Sequence, residues 1–419
     1  MPPDTSSAPE KPEDDTSGRF YRYSYLPYLT LVLLLLMGAW FVKHYVIDQP
    51  STAQQLRVAS FEKALRLIPD KYAGDITEEE LYRAAMQAMM DRLGGRFSGY
   101  MTAPQQKQLE IETRGSYGGI GAVLAREDGS LVIVDVKEDA PAEEAGLKAE
   151  DRILKVGGSD VTDLPLGRAV KLIRGKAGSS VELLVRRASS GETEKVTVSR
   201  DTIDLEAVTG EMAEGGDVGI LTVQRMGRKA ADQVRKRIGE LKEEGARGLV
   251  LDLRDNPGGL MEEAVDITDL FLASGVIISV DGRAGRESRQ ATAETVVPPD
   301  WPIVVLVNGR TASAGEIVAG TLKHHDRATI VGTRTLGKGA VNQVYSLPDG
   351  SALTLTVAHY RAAGEVKVAD EGIKPDKTVG ELPEPGDRPP EEVHQAVREA
   401  REKQMEAALE LLREELDEQ

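Results

Sequence analysis

The chain has 419 residues, is 40% hydrophobic and 29% charged, and carries a formal net charge of −17. It is long enough for two or three domains and apolar enough to bury a core, while its excess of carboxylates argues against nucleic acid, whose phosphates are neutralised by Lys and Arg. With no cysteine, disulfides, thiolate nucleophiles and Cys-ligated zinc are excluded, and the redox compartment stays open.

Residues 1–24 are rich in Pro, Ser, Asp and Glu and are expected to form a disordered cytoplasmic tail. Residues 25–47 contain "YLPYLTLVLLLLMGAWFV", Tyr25–Val42. A bilayer span takes roughly 20 largely apolar residues. Tyr21, Tyr23, Tyr25 and Tyr28 at one end, with Trp40, Phe41 and Tyr45 at the other, resemble interfacial aromatic belts. The segment therefore reads as one N-terminal transmembrane helix. The alternative is a cleaved signal peptide, whose apolar stretch is about 7–15 residues and ends in small residues. Here bulky Trp40 and Phe41 follow Gly38-Ala39. Arg19 and Arg22 before the span, against Lys43 after it, place the protein in the cell membrane with the bulk of the chain on the periplasmic or extracellular side.

Residues 51–112 are helical in pattern. In "ITEEELYRAAMQAMMDRL" Thr77 is the expected cap, with apolar positions at Leu81, Ala84, Ala85, Ala88, Met89 and Leu93. From 113 to 188 short strands alternate with Gly and Asp turns around one helix, "PLGRAVKLIR". "GGIGA", "APAEEAGLKAEDRILKVGG" and that helix together resemble a PDZ domain. The resemblance implies that Gly119, Ile120, Gly121 and Ala122 present backbone N–H groups to the carboxylate of a peptide that adds as a strand. A plain β-sandwich linker is the alternative. Arg174, at the end of the helix, is either a contact between this domain and the next or a surface arginine near a helix C-terminus.

Residues 189–382 alternate apolar strands with amphipathic helices, which argues α/β with a sheet buried on both faces. "DVGILTV", a helix from about Gly227 to Glu244, and "RGLVLDL" form one such unit; "NQVYSL" and "SALTLTVAHY" form a hairpin through Pro348-Asp349-Gly350. Residues 383–419 are a charged helix with Val393, Val397, Ala400, Ala408, Leu411 and Leu412 on one face.

Three stretches carry chemistry. "DLRDNPGGLMEEAV", Asp252–Val265, leaves a strand, turns through two glycines and enters a helix, so its N–H groups are placed to hold a negative charge. "NGRTASAGEIVAG", Asn308–Gly320, sets Ser313 between two alanines at a strand-to-helix turn. Ser313 is there either a helix cap or a nucleophile beside a free N–H. "GTRTLGKGAVNQV", Gly332–Val344, imitates a phosphate loop, but Gly339 follows Lys338 where a hydroxyl is needed, and a strand follows where a helix is needed. Nucleotide binding is therefore discounted. Of five histidines, His44 abuts the apolar span, His394 lies in the charged tail, and His324 and His325 sit about three helical turns from Ser313. His359 stays open as a rival base. No H-E-x-x-H or clustered histidines call for a metal.

The order PDZ, "DLRDNPGG", "NGRTASAGEIVAG", "GTRTLGKGAV" resembles the C-terminal processing peptidases, or tail-specific proteases, over roughly residues 55–380. That resemblance implies a crotonase-like α/β protease core with an inserted PDZ domain and a helical N-terminal part. It implies Ser313 as nucleophile and Lys338 as general base, with an oxyanion hole from Ala314 and one of Gly258 and Gly259. No metal or cofactor is implied, and the partners are protein or peptide substrates with free C-termini. Oligomerisation is left open. Where the family has glutamine four residues after the lysine, this chain has Asn342, one methylene shorter, and then Gln343. Either is placed to orient the amine. A catalytically inactive PDZ scaffold is the alternative to an enzyme.

Overall fold

The computed structural model describes residues 26–42, 52–127, 129–283, 285–292, 295–381 and 390–419. The chain forms two compact units, residues 1–85 and 86–419.

The first unit holds helices α1 (Leu26–Val42) and α2 (Thr52–Lys71) and the start of α3 (Glu78–Asp91). The segment expected to span a membrane forms helix α1, which has 17 residues. At 1.5 Å per residue that is about 25 Å, short of a hydrocarbon core of about 30 Å. Among the described residues no helix is long and apolar enough to cross a membrane. Tyr25 and residues 43–47 of the expected span, His44 among them, lie outside the described residues, as does the 1–24 tail. Thr77 caps α3 as expected: its N–H donates to Glu80 Oε2 at 2.8 Å and its Oγ1 accepts from Glu80 N at 3.2 Å, a reciprocal capping box. The buried face of α3 differs from expectation. Met86 and Met90 are buried, whereas Met89 and Leu93 are exposed.

The second unit continues with β1 (Gly99–Met101), α4 (Ala103–Arg114) and β2 (Ser116–Gly119). A domain of one six-stranded sheet and two helices follows: β3 (Ala122–Glu127), β4 (Ser130–Val136), α5 (Pro141–Glu144), β5 (Arg152–Val156), β6 (Ser159–Asp160), α6 (Leu166–Ile173), β7 (Ser180–Arg186) and β8 (Thr193–Ser199). Its sheet runs β3-β4-β5-β7-β8, which leaves β3 at an edge. Leu131, Ile133, Ile153, Leu183 and Val185 fill its own core. The sheet continues past the expected boundary at 188, because β8 pairs with β7 along its whole length, Ser199 opposite Ser180. Then β9 (Asp201–Asp204) pairs antiparallel with β2, Ser116 opposite Asp204. This domain is thus inserted on a two-stranded stem.

The α/β body comprises β10 (Val208–Met212), β11 (Val218–Val223), α7 (Ala230–Glu243), β12 (Gly248–Asp252), α8 (Met261–Asp269), β13 (Val276–Gly282), β14 (Gly285–Gln290), β15 (Ile303–Val307), α9 (Ala314–His324), β16 (Thr329–Gly332), β17 (Ala340–Ser346), β18 (Ala352–Ala362), β19 (Val366–Lys367), β20 (Lys377–Thr378) and α10 (Pro390–Asp417). One sheet has the order β10-β11-β12-β15-β16-β20, parallel from β11 onward. Side chains alternate faces along a strand, and here both faces are apolar. Leu221, Leu249, Leu251, Val305 and Val307 pack with α7, α8 and α9. Ile220, Val250, Val304, Leu306 and Val331 pack with Ala408, Leu412 and Leu416 of α10. The acidic tail helix therefore closes the second face of the sheet. Val393, expected on its apolar face, is exposed; residues 383–389 lie outside the described residues. A second, antiparallel sheet runs β1-β18-β13-β14, with β17 and β19 also on β18, and contains the expected β17–β18 hairpin.

Candidate active site

β15 delivers the chain into the sharp turn Asn308–Ser313, and α9 leaves it. Ser313 has φ 53° and ψ −114°, a sparsely populated region that costs on the order of 1–3 kcal/mol for a residue with a Cβ. Neighbouring bonds enforce it. Thr311 Oγ1 donates to Leu253 O at 2.7 Å, and Ala312 N–H donates to Asn256 O at 2.9 Å. The side chain of Ser313 is half-buried while Ala312 and Ala314 are buried. As the first residue of α9, Ala314 has an N–H with no intrahelical acceptor, and it has no other acceptor among the described residues.

The glycine turn lies directly against this serine. Asp255, φ 61°, opens it. A reciprocal pair welds the two turns: Asp255 N–H donates to Asn308 Oδ1 and Asn308 Nδ2 donates to Asp255 Oδ1, both at 3.0 Å. Behind Asp255, buried Arg254 forks onto Asp252, Nε to Oδ1 at 2.9 Å and Nη2 to Oδ2 at 2.6 Å. A Cβ on Gly258 would lie 2.8 Å from Ser313 Cβ, so only glycine fits there. The N–H of Gly258 is spent on Asn256 Oδ1 at 2.8 Å. That of Gly259 has no acceptor among the described residues, and Gly259 is exposed. The donors left beside Ser313 are thus those of Ala314 and Gly259.

Lys338 arrives on the loop between β16 and β17. The loop is anchored by Glu316, which is fully buried. Glu316 Oε1 accepts from Thr335 Oγ1 and Gly337 N–H, both at 2.6 Å; Oε2 accepts from Lys338 N–H at 2.9 Å and Ser313 N–H at 2.8 Å. One carboxylate therefore ties the serine turn to the lysine loop. Burial pushes the Lys338 amine below the ordinary lysine value, opposed by the Glu316 charge. The Lys338 Nζ lies 5.8 Å from the centre of the Phe97 ring. Burial also raises Tyr360 well above its ordinary value, reinforced by Glu316. Its protonated hydroxyl donates to Ser313 O at 3.0 Å.

Neither residue expected to orient the amine does so by hydrogen bonding. Asn342 Nδ2 donates to Phe97 O at 2.6 Å, and its Oδ1 accepts from Thr356 Oγ1 at 3.1 Å. Gln343 is exposed and accepts from Tyr345 OH at 3.0 Å. The register shift between Val341 and Asn342 in the β17–β18 ladder helps turn that amide toward Phe97. Asn342 thus holds the wall beside the lysine and leaves the lysine itself alone.

Ser313, Ala314, Gly258, Gly259, Lys338 and Asn342 all line one cavity of about 540 Å³. No histidine lines it. His359 is exposed on β18, and His325 Nε2 bonds Val276 O at 2.9 Å, so among the described residues no histidine base is assembled. Apolar side chains dominate the walls, among them Met101, Leu109, Leu260, Met261, Ile317 and Val344. In the inserted domain, Ile120 is buried and Gly121 has φ 77°. The 119–122 turn leads into edge strand β3. Val123 on β3, and Leu166 and Leu172 on α6, are exposed apolar side chains, as an added peptide strand requires. Arg174 lays its guanidinium over the Tyr117 ring of the stem at 4.1 Å.

Sequence reasoning missed Glu316 and Phe97. Ser313-Ala-Gly-Glu316 is a capping-box spacing, S-x-x-E, and signalled the first. Nothing local signalled Phe97.

Residues 217–379 match peptidase family S41 and residues 132–187 match the PDZ domain. The carboxy-terminal processing protease CtpA of Bacillus subtilis (strain 168) is 37% identical over 324 residues, covering 77% of this chain and 68% of that protein. The carboxy-terminal-processing protease of Bartonella bacilliformis is 34% identical over 343 residues, covering 80% of this chain and 78% of that protein. That of Picosynechococcus sp. is 33% identical over 358 residues and covers 83% of each. With its motifs, its inserted PDZ domain and these relatives in agreement, the chain belongs to peptidase family S41, the carboxy-terminal processing serine proteases.

Proposed function

We propose that this protein is an endopeptidase that captures polypeptide C-termini on its PDZ domain and cuts near them with a Ser313–Lys338 dyad. The observation that carries the reading is the convergence of a strained serine, two unspent N–H groups and a half-buried lysine on one cavity. Ser313 Oγ attacks the scissile carbonyl carbon and passes its proton to the neutral Lys338 amine. The oxyanion that forms is held by the N–H groups of Ala314 and Gly259. Lys338 then gives the proton to the departing amine, leaving an acyl ester on Ser313. Water, deprotonated by Lys338, hydrolyses that ester. Burial lowers the pKa of the amine and so favours its neutral, proton-accepting form, and the apolar walls favour apolar residues beside the cut. No metal or cofactor enters this mechanism.

The test uses an unstructured peptide with an apolar, free C-terminus and a fluorophosphonate probe. Wild type is expected to cleave the peptide and take the label. Ser313→Ala and Lys338→Ala are each expected to do neither while staying folded, and the double variant to be no worse, because the pair acts as a unit. Near-normal turnover in Lys338→Ala would sink the dyad, and labelling without cleavage of any peptide would favour the scaffold reading.

Attachment to the cell membrane, with the protease on its outer side, is part of the proposal. It is supported by the run of apolar side chains exposed along α1, including Leu29, Leu33, Leu34 and Leu36, and by the aromatic residues that flank the segment in sequence. The full-length protein is expected in the membrane pellet after alkaline carbonate extraction, and its protease part is expected to be digested by protease added to intact spheroplasts. A soluble mature form beginning after Trp40 would show a cleaved signal instead.

A further inference from the structure

Helix α10 covers a sheet face with its C-terminal half, but near its middle it also reaches the turn that carries Gly259. Arg401 Nη1 donates to Asp255 Oδ2. Arg254 binds the helix to the same place: its Nη1 donates to the carbonyl of Arg401 at 2.7 Å and to Gln404 Oε1 at 3.3 Å. Gln404 in turn donates to Val379 O at 3.0 Å. Asp255 is therefore gripped by both carboxylate oxygens. Asn308, from the nucleophile turn, holds Oδ1, and Arg401, from α10, holds Oδ2.

Asp255, Pro257 and Arg401 line a second cavity, about 600 Å³. The far limb of the turn is held by backbone bonds, Met226 N–H to Gly258 O at 3.0 Å and Leu260 N–H to Met226 O at 2.8 Å. The near limb, where Asp255 takes a positive φ, is held through its carboxylate. The Arg401–Asp255 pair is partly exposed, at 39% and 35%, so its contribution to stability is small. Its geometric consequence is larger, since Gly259 lies four residues on and its N–H must meet a developing oxyanion.

We infer that Arg401 is a positioning residue for peptide cleavage: through Asp255 it fixes the Gly259 N–H relative to Ser313, and the C-terminal helix is thereby part of the catalytic apparatus. This rests on the oxyanion assignment above. A mispositioning of about 1 Å in such a site can cost on the order of 100-fold in rate, and loss of one oxyanion donor costs on the order of 100- to 1,000-fold.

The experiment compares full-length wild type, Arg401→Ala, Arg401→Lys, Asp255→Asn, the Arg401→Ala/Asp255→Asn double variant, Arg413→Ala and Ser313→Ala on one peptide substrate. Arg413 lies on the same helix and donates to Glu214 O at 2.5 Å, far in sequence from the site. Arg401→Ala is expected to lower kcat about 10- to 100-fold with KM within about 2-fold and with an unchanged thermal midpoint. Arg401→Lys recovers part of the loss, and the double variant is no worse than the worse single one. Arg413→Ala is expected to match wild type. An unchanged kcat in Arg401→Ala, additive losses in the double variant, or an equal loss in Arg413→Ala would overturn the inference. Cleavage surviving in Ser313→Ala would instead overturn the active-site reading on which it rests.

Discussion

Ser313 and Lys338 donate their backbone N–H groups to the same atom, Glu316 Oε2, at 2.8 and 2.9 Å. The strained turn that lifts the serine and the loop that carries the lysine thus share one hinge pin. Their separation depends on a buried carboxylate, which has little freedom of its own because Thr335 and Gly337 occupy its other oxygen.

Glu316→Ala is expected to damage both activity and stability. It leaves three backbone N–H groups and the Thr335 hydroxyl without their acceptor, and an unsatisfied buried donor costs about 1–3 kcal/mol. Glu316→Gln keeps the shape, but its NH₂ must face at least one backbone N–H that wants an acceptor. Its expected loss in kcat is about 10- to 100-fold with a milder loss of stability. Turnover and thermal unfolding measured on both variants check this, and a Glu316→Gln enzyme with wild-type turnover would contradict the shared-pin account.

The activity should rise with pH. Lys338 must be neutral to accept the serine proton, and burial lowers its pKa from the ordinary 10.5. The acid limb of kcat/KM is therefore expected to titrate below that value, and Lys338→Arg to be inactive, since a guanidinium stays charged. The stability linkage has a definite sign. Between the lowered folded value and the ordinary unfolded one, the unfolded chain binds the extra proton, so this group's contribution improves as pH rises through that window. Below the folded value its full cost is present. Lys338→Met is expected to flatten that dependence in chemical denaturation measured across pH, and an unaltered slope would show that the amine is not held neutral by burial.

The PDZ domain should gate as well as tether. It is inserted on the β2–β9 stem, so it is held at both ends. Arg174, resting on Tyr117 of that stem, also lines the cavity behind the glycine turn. A ligand that prefers one domain position shifts the population toward it. Amidating a substrate's C-terminus is expected to slow its cleavage. A non-cleavable peptide with a free carboxylate, added in trans, is expected to speed cleavage of a second, short substrate. Simple competition by the added peptide would leave the domain as a tether only.

Much of this protein was legible from local pattern. β-branched runs, small residues at turns and paired glycines announced the strand–turn–helix at Ser313 and the turn at Asp255–Gly259, because a backbone that must take positive φ or pass close to another chain admits few residue types. The β17–β18 hairpin followed from its turn residues, and the inserted PDZ domain from the resemblance of its motifs to a known family. The capping-box spacing of Ser313 and Glu316 was equally visible, but only as a helix start.

Local pattern by itself determined which segments are strands, helices and turns, and which residues stand at the chemically special turns. The tertiary structure decided which groups at those turns are free to act. Gly258 has spent its N–H and Gly259 has not. Asn342 faces Phe97, 245 positions away in sequence, and not the lysine four residues before it. Arg401 reaches Asp255 across 146 positions. A hydrogen-bonding group's availability is set by every neighbour that competes for it, and those neighbours come from distant parts of the chain that meet only once both faces of the sheet are covered.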